Sequence, residues 1–163
     1  MIVANWKCNG SKQMIQDWIS KFKETYIPSN NTNLGIAPAY IHVSYLSNNL
    51  EANSLDIAYG VQNIDLSSGA RTSAISLEMV HDMSCNFSII GHSEIRIIFG
   101  ETNENISEKL DLISKSLDVI LCIGETAEEN KNNQTKEILK QQLKVISGRD
   151  LSQNFTIAYE PVW

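Results

Sequence analysis

An α/β fold built on a parallel sheet is predicted by two features of this 163-residue sequence. Short apolar runs alternate with amphipathic stretches in six successive steps, and no linker-like segment interrupts them. This alternation is typical of βαβ units, in which helices cover a parallel sheet. The apolar runs are nearly continuous, as expected of strands that are buried on both faces. We therefore expect a single domain over residues 1–163.

The six predicted strands are short apolar segments. They are MIVAN (1–5), LGIAP (34–38), LDIAYG (55–60), NFSIIG (86–91), DVILCIG (118–124) and FTIAY (155–159). Both a doubly wound open sheet and a (β/α) barrel would give this pattern. The residues after the first strand, NWKCNG, lack the G-x-G-x-x-G sequence that would favour the doubly wound sheet. The pattern alone leaves both architectures open.

Helices are predicted between the strands, wherever apolar residues recur at helical spacing. The clearest one follows a predicted N-cap, Ser11, and places on one face Met14, Ile15, Trp18, Ile19 and Phe22. Weaker patterns cover YIHVSYLSNNL (40–50) and residues 76–83. Two further apolar faces are formed by Ile106, Leu110, Ile113 and Leu117, and by Ile138, Leu139, Leu143 and Ile146.

Composition and charge argue against several classes of partner. The formal net charge is -6 and no dense Lys/Arg cluster occurs, so we expect neither nucleic acid nor a membrane as a partner. No apolar run reaches the roughly 18 residues of a membrane span, and the N-terminus does not resemble a secretory signal. The three scattered cysteines predict reduced thiols and a cytoplasmic location, because they form neither a disulfide framework nor a metal-ligand spacing.

Polar residues follow the predicted strands at the points where the strands end. Asn5 and Lys7 follow the first strand, His92 and Glu94 follow the fourth, and Glu160 follows the sixth. The carboxyl ends of parallel strands lie on one rim, where α/β enzymes place their active sites. A lysine, an imidazole and a carboxylate on one rim predict an acid–base site. The alternative is structural, since any one of them can be a solvated loop charge or a helix cap.

Several other polar residues have a structural interpretation. His42 and His81 lie on helical stretches. Glu101 and Glu125 stand where a carboxylate can cap the next helix. Cys122 lies inside an apolar strand, where packing is its expected role.

Five segments together resemble the triosephosphate isomerase family. NWKCNG, VQN, IIGHSEIRIIFGET, LCIGET and AYEPVW match the family's motifs in order and spacing, from the first residues to the last. The resemblance implies a TIM-type (β/α) barrel. It also implies an isomerase of glycolysis and gluconeogenesis that interconverts dihydroxyacetone phosphate and glyceraldehyde 3-phosphate through an enediolate.

The resemblance also implies which residues carry the chemistry. Glu160 matches the base that removes the carbon-bound proton, and His92 matches the neutral imidazole that polarises the carbonyl. Lys7 matches the cation that stabilises substrate and developing charge, and Asn5 matches the residue beside it in the substrate site. The reaction implied needs no metal and no cofactor.

Supporting and interface residues follow from the same comparison of motifs. Glu94 and Cys122 match supporting positions, and Thr72 matches the loop that reaches into the partner subunit of family dimers. That loop departs from the family pattern, because the aromatic residue, the glycine and the glutamate are replaced by Arg71, Ser73 and Ala74. Ile95 replaces the first arginine after the histidine. We expect a homo-oligomer formed through an altered interface or through open strand edges.

The sequence predicts fewer strands than a complete family barrel contains. The family has eight strands in about 250 residues. Residues 1–163 contain no counterpart of the seventh and eighth strands or of the lid tip, which hold the substrate phosphate, so the chain is truncated relative to the family. Phosphate binding supplies energy for lid closure and transition-state stabilisation. We therefore expect weak or no isomerase activity from the isolated chain, the alternative being a catalytically dead barrel that acts as a self-associating scaffold or is a fragment.

Overall fold

The computed structural model describes the chain in five stretches, residues 1–27, 32–66, 69–113, 116–151 and 155–163. The chain forms two compact units, of which the first comprises residues 1–62 and 78–87 and the second residues 63–77 and 88–163. The expectation of a single domain over residues 1–163 stays a prediction. Within the described stretches, no helix has both the length and the apolar character needed to cross a membrane.

The first unit contains three parallel strands in chain order, β1 (Ile2–Asn5), β2 (Leu34–Ala37) and β3 (Ala58–Val61). The helix α1 (Lys12–Thr25) follows β1. A 3-10 turn (Tyr40–His42) and α2 (Val43–Ala52) follow β2. The helix α3 (Leu77–Asp82) belongs to this unit from its second residue onward.

The second unit contains most of β4 (Phe87–Ile90), then β5 (Asp118–Ile123) and β6 (Phe155–Tyr159). β5 and β6 pair in parallel over five residues, from Val119 opposite Phe155 to Ile123 opposite Tyr159. Its helices are α4 (Ser93–Ile98), α5 (Asn103–Ile113), α6 (Ala127–Lys131) and α7 (Thr135–Leu143), and a 3-10 turn spans Lys144–Ile146.

The predicted start of α1 is confirmed. The Ser11 hydroxyl accepts a hydrogen bond from the Met14 amide at 3.0 Å, which satisfies one of the amides that a helix N-terminus leaves without an intrahelical partner. The predicted apolar face of the helix buries Ile15 and Ile19. These two side chains form the core of the first unit together with Ile36, Leu46, Leu50 and Ile57.

The structure corrects the predicted start of the third strand and the extent of three predicted helices. The third strand begins at Ala58 and not at residue 55, because the Leu55 amide still bonds the Leu50 carbonyl in the turn after α2. Residues 40–42 form a 3-10 turn before α2. The helix α5 spans Asn103–Ile113, and Leu117, which was predicted on its apolar face, lies in a bend with its side chain buried. Ile146, predicted on the apolar face of the last helix, lies in the 3-10 turn after α7.

Two short helices, α4 and α6, have no counterpart in the predicted order. Neither carries an apolar face at helical spacing. In α4 the isoleucines 97 and 98 are exposed, and α6 has the sequence AEENK. Periodicity could not reveal them, since it detects only helices that bury one face.

Truncating one core leucine tests the packing of the first unit. Leu46 is fully buried, so Leu46→Ala should lower the free energy of unfolding by about 2–5 kcal/mol through lost contacts and a cavity. The matched control is Ile41→Ala, since Ile41 is 85% exposed and its truncation should change stability by less than about 0.5 kcal/mol. Urea unfolding would measure both, and equal losses would contradict this core.

Candidate active site

Two residues of the predicted acid–base site lie at strand ends of the second unit. β4 ends at Ile90, and His92 follows after one glycine and becomes the N-cap of α4. Glu160 follows β6 directly, and its amide donates to the Ile123 carbonyl of β5 at 2.8 Å. A Cβ at Gly124 would lie 2.0 Å from the Glu160 carbonyl oxygen, so only glycine lets these two backbones approach so closely.

The side chains of His92 and Glu160 meet. The imidazole Nε2 lies 3.3 Å from the Glu160 carboxylate oxygen Oε2. The other ring nitrogen, Nδ1, accepts a hydrogen bond from the Glu94 amide at 3.2 Å. A neutral imidazole has one donor and one acceptor nitrogen, so this bond assigns the proton to Nε2. The ring is buried, whereas the Glu160 side chain is 53% exposed and open to a small molecule.

Glu94, predicted as a supporting residue, contacts the imidazole from its Nδ1 side. Its carboxylate lies 3.4 Å from Nδ1, while its own amide donates to the same atom. The two contacts favour opposite charge states, because a carboxylate stabilises imidazolium and an N–H donor requires a neutral acceptor. The Glu94 side chain is 46% exposed, so water screens its charge.

Cys122, the second predicted supporting residue, is buried in β5. Burial raises the pKa of its thiol to about 11, and the Glu160 carboxylate adds to this effect while the Arg96 guanidinium opposes it. The thiol is therefore uncharged at neutral pH. Its place in the strand core agrees with the packing role expected for it from the sequence.

Lys7 and Asn5 lie in the first unit, whereas His92 and Glu160 come together in the second. Lys7 is exposed and has a positive φ of 52°, unusual for a residue with a side chain. Its amide donates to the Asn5 side chain at 3.0 Å, and its carbonyl accepts from Gln62 Nε2 at 2.8 Å. Asn5 and Gln62 thus hold the backbone of Lys7 from both sides.

The predicted dimer-loop residue, Thr72, is exposed in a turn of the second unit. The neighbouring Arg71, which replaces the aromatic residue expected from the family pattern, forms an ion pair with Asp65 at 2.9 Å. The Arg71 amide also donates to the Gly69 carbonyl. Arg71 therefore interacts within its own loop.

Glu125 has a larger role than the cap that the sequence suggested. Its carboxylate is fully buried and accepts hydrogen bonds from Tyr159 OH at 3.0 Å and Asn130 Nδ2 at 3.1 Å. Thr135 Oγ1 at 3.3 Å and Trp163 Nε1 at 3.4 Å complete the set. These donors come from α6, from the start of α7, from β6 and from the residues after Glu160.

These bonds fix the chain on both sides of Glu160. Tyr159 precedes Glu160 and Trp163 follows it, and the Val162 amide also donates to the Glu125 carbonyl at 2.9 Å. Burial acts to raise the pKa of Glu125, but hydrogen bonds from its own backbone and from the surrounding side chains outweigh it, so the pKa is lowered. Burial and Glu125 together raise the pKa of Tyr159, which keeps its phenol a donor.

One sequence signal would have excluded the capping role of Glu125. Thr126 and Glu129 have the spacing of a capping box, and the structure contains that box at the start of α6. Since Thr126 is the N-cap, Glu125 stands one position too early. Glu101 likewise makes a side-chain contact of its own, an ion pair with the buried Lys109, whose amine also donates to Asn63 Oδ1 at 3.0 Å.

A cavity of about 140 Å³ lies beside Glu160 in the second unit. Apolar, polar and oppositely charged residues line this cavity, including Gly91, Ser93, Arg96, Cys122, Gly124, Gln142 and Glu160. Across the five described stretches, no three His, Cys, Asp or Glu side chains are grouped so that they could hold a metal ion.

Replacing the buried carboxylate tests whether Glu125 fixes the chain around Glu160. The pKa of Glu125 is lower in the folded state than its ordinary value of 4.5, so its carboxylate stabilises the fold at pH values above 4.5. This contribution is lost as the pH falls through the lowered pKa. Glu125→Gln should therefore lower the urea midpoint at about pH 7, and the difference from wild type should shrink on acidification. Glu128→Gln, at an exposed position of α6, is the control and should behave as wild type. Equal urea midpoints for Glu125→Gln and wild type at neutral pH would show that Glu125 does not fix the chain around Glu160.

Comparison of the sequence with known proteins identifies the family of this chain. The family model described as triosephosphate isomerase matches residues 1–163. Three proteins named triosephosphate isomerase align over the whole chain, from Baumannia cicadellinicola (40% identical), Buchnera aphidicola of Cinara cedri (37%) and Francisella philomiragia (35%). The chain spans only 65%, 66% and 65% of the length of these relatives, respectively. The predicted fold class, an α/β incomplete TIM-type barrel with six parallel strands, is confirmed, and the chain belongs to the triosephosphate isomerase family.

Proposed function

We propose that this chain carries the acid–base chemistry of triosephosphate isomerase, which interconverts dihydroxyacetone phosphate and glyceraldehyde 3-phosphate. The observation that supports it most is the 3.3 Å approach of His92 Nε2 to the Glu160 carboxylate, with Nδ1 occupied by the Glu94 amide. The names of the relatives point to the same reaction. By the same analogy, we propose that the protein acts in glycolysis and gluconeogenesis in the cytoplasm.

In the proposed mechanism Glu160 is the base and His92 is the electrophile. Glu160 takes a proton from the carbon beside the substrate carbonyl and returns it to the neighbouring carbon. His92 donates its Nε2 proton in a hydrogen bond to the carbonyl oxygen, where negative charge develops in the enediolate. The hydroxyl proton on the neighbouring oxygen must also pass to this oxygen, and Nε2 completes the exchange by giving one proton and accepting the other. A donor aimed at developing charge lowers the barrier by about 3 kcal/mol in comparable sites. The reaction is an internal proton transfer, so the proposal includes no metal and no cofactor.

The remaining predicted residues take accessory roles in the proposal. Lys7 supplies a positive charge to the substrate, and Asn5 supports it through the bond to the Lys7 amide. Glu94 supports His92 through its backbone N–H. Cys122 packs within β5 as an uncharged thiol, and burial raises its pKa to about 11.

The decisive test is a coupled isomerase assay on wild type and Glu160→Gln, purified identically from a host that lacks its own isomerase. Removing the base should reduce any rate of the chain about 10²–10⁴-fold, since this is the range that a positioned base contributes. Glu94→Gln is a suitable companion, because it keeps the amide donor and should lose much less activity. Equal rates for wild type and Glu160→Gln would sink the proposal and favour a scaffold without catalysis.

We further propose that the chain associates with a second copy of itself. The α4 apolar patch, which comprises Ile97, Ile98 and Phe99, is 61–74% exposed. On β6, Ile157 and Tyr159 are also largely exposed, at 45% and 52%. Contiguous exposed apolar side chains of this kind mark protein interfaces more often than free surface.

Sedimentation velocity would test self-association. Wild type should sediment as a species larger than the 18.3 kDa chain, and the double variant Ile98→Ser/Phe99→Ser should shift towards the monomer because it removes most of the patch. Ile41→Ser, at an exposed position outside the α4 apolar patch, is the control and should sediment as wild type. A monomeric wild type at micromolar concentration would refute the association.

A further inference from the structure

The orientation of His92 depends on the turn that connects β4 to α4. Gly91 occupies this turn with a φ of +71°, a conformation that favours glycine. A Cβ at Gly91 would lie 3.0 Å from Arg96 Nη2 and 3.2 Å from the Cys122 carbonyl oxygen. The space that glycine leaves is therefore occupied by a guanidinium group.

Arg96 reaches back from α4 and bonds three elements of the second unit. Its Nε donates to the Gly91 carbonyl at 2.7 Å, in the turn before His92. Nη1 donates to the Asn103 side chain at 2.8 Å, at the start of α5. Nη2 lies 3.5 Å from the Cys122 carbonyl of β5. Arg96 therefore fixes the turn relative to the strand and the helix beside it.

A lysine side chain could not make all three of these contacts. A planar guanidinium presents its donors in a rigid fork, whereas a lysine ammonium is a compact charge on a flexible stem. Burial lowers the pKa of Arg96, and the Glu101 carboxylate opposes this effect. Burying a cation is unfavourable unless its hydrogen bonds are satisfied, so the guanidinium strongly favours the arrangement that provides them.

We propose that Arg96 is a positioning residue for His92, because it holds the turn that aims the imidazole at Glu160. The inference rests on the proposed function, in which His92 polarises the substrate carbonyl. Arg96 itself touches neither reacting group in this scheme. It acts through the Gly91 carbonyl, one residue before the imidazole. Small displacements matter at such a site, since a shift of about 1 Å can reduce a rate about 100-fold.

The first experiment compares wild type with Arg96→Met and Arg96→Lys by ¹H–¹⁵N NMR of the imidazoles at about pH 8. His92→Gln assigns the His92 signals among the three histidines. Wild type should show one neutral tautomer, protonated at Nε2. In Arg96→Met the His92 signals should move or broaden towards a mixture of tautomers. Arg96→Lys should give an intermediate result, since an ammonium can retain one bond to a carbonyl.

The matched control is Arg149→Met. Arg149 also donates hydrogen bonds to the Val145 carbonyl at 2.7 Å and to Ser107 Oγ at 2.8 Å, and it forms an ion pair with Asp111. None of these partners belongs to the proposed site. Arg149→Met should lower the melting temperature by an amount similar to Arg96→Met and leave the His92 signals unchanged.

Kinetics provide an independent readout. Arg96→Met should reduce kcat about 10- to 100-fold and change KM less than about threefold, because the loss falls on the transition state. Arg149→Met should retain the wild-type kcat. A His92 spectrum that is unchanged in Arg96→Met, or equally changed in Arg149→Met, would overturn the inference. A wild type without isomerase activity would agree with the weak or absent rate expected from the sequence and would refute the proposed function for this chain. The NMR comparison would still decide the role of Arg96.

Discussion

The hydrogen bond from the Glu94 amide to His92 Nδ1 is the constraint on which the candidate site depends. It performs two tasks, because the same bond caps α4 and assigns the imidazole proton to Nε2. A protonated imidazole could not accept this bond, so the helix start and the neutral ring stabilise each other.

The proposed base, Glu160, is held in place by a different set of hydrogen bonds. Glu160 continues the β5–β6 ladder through its amide, and the buried Glu125 binds residues on both sides of it. The carboxylate of Glu160 itself remains half exposed. Its backbone is therefore fixed while its reacting end is accessible to a small molecule, which is the arrangement that a general base needs.

The sequence predicted what periodicity and strand ends can reveal. Strand β6 matches its predicted range, and the Ser11 cap and the buried face of α1 were predicted because each is a local signal. Helix α4 was not predicted, since Ile97 and Ile98 are exposed and none of its residues is fully buried. The pairing of His92 with Glu160 was predicted only as a shared rim. The role of Arg96 depends on its side chain turning back to the Gly91 carbonyl, and the spacing of residues along the chain does not reveal this.

The most direct test of this account is the tautomer of His92 in the wild-type protein, measured by long-range ¹H–¹⁵N correlation at about pH 8. We expect a neutral ring with its proton on Nε2, and with Nδ1 accepting the hydrogen bond of the Glu94 amide. A ring protonated at Nδ1, or an imidazolium held by the two flanking carboxylates, would contradict it. Either of those results would show that Glu94 acts on His92 through its side chain and not through its backbone.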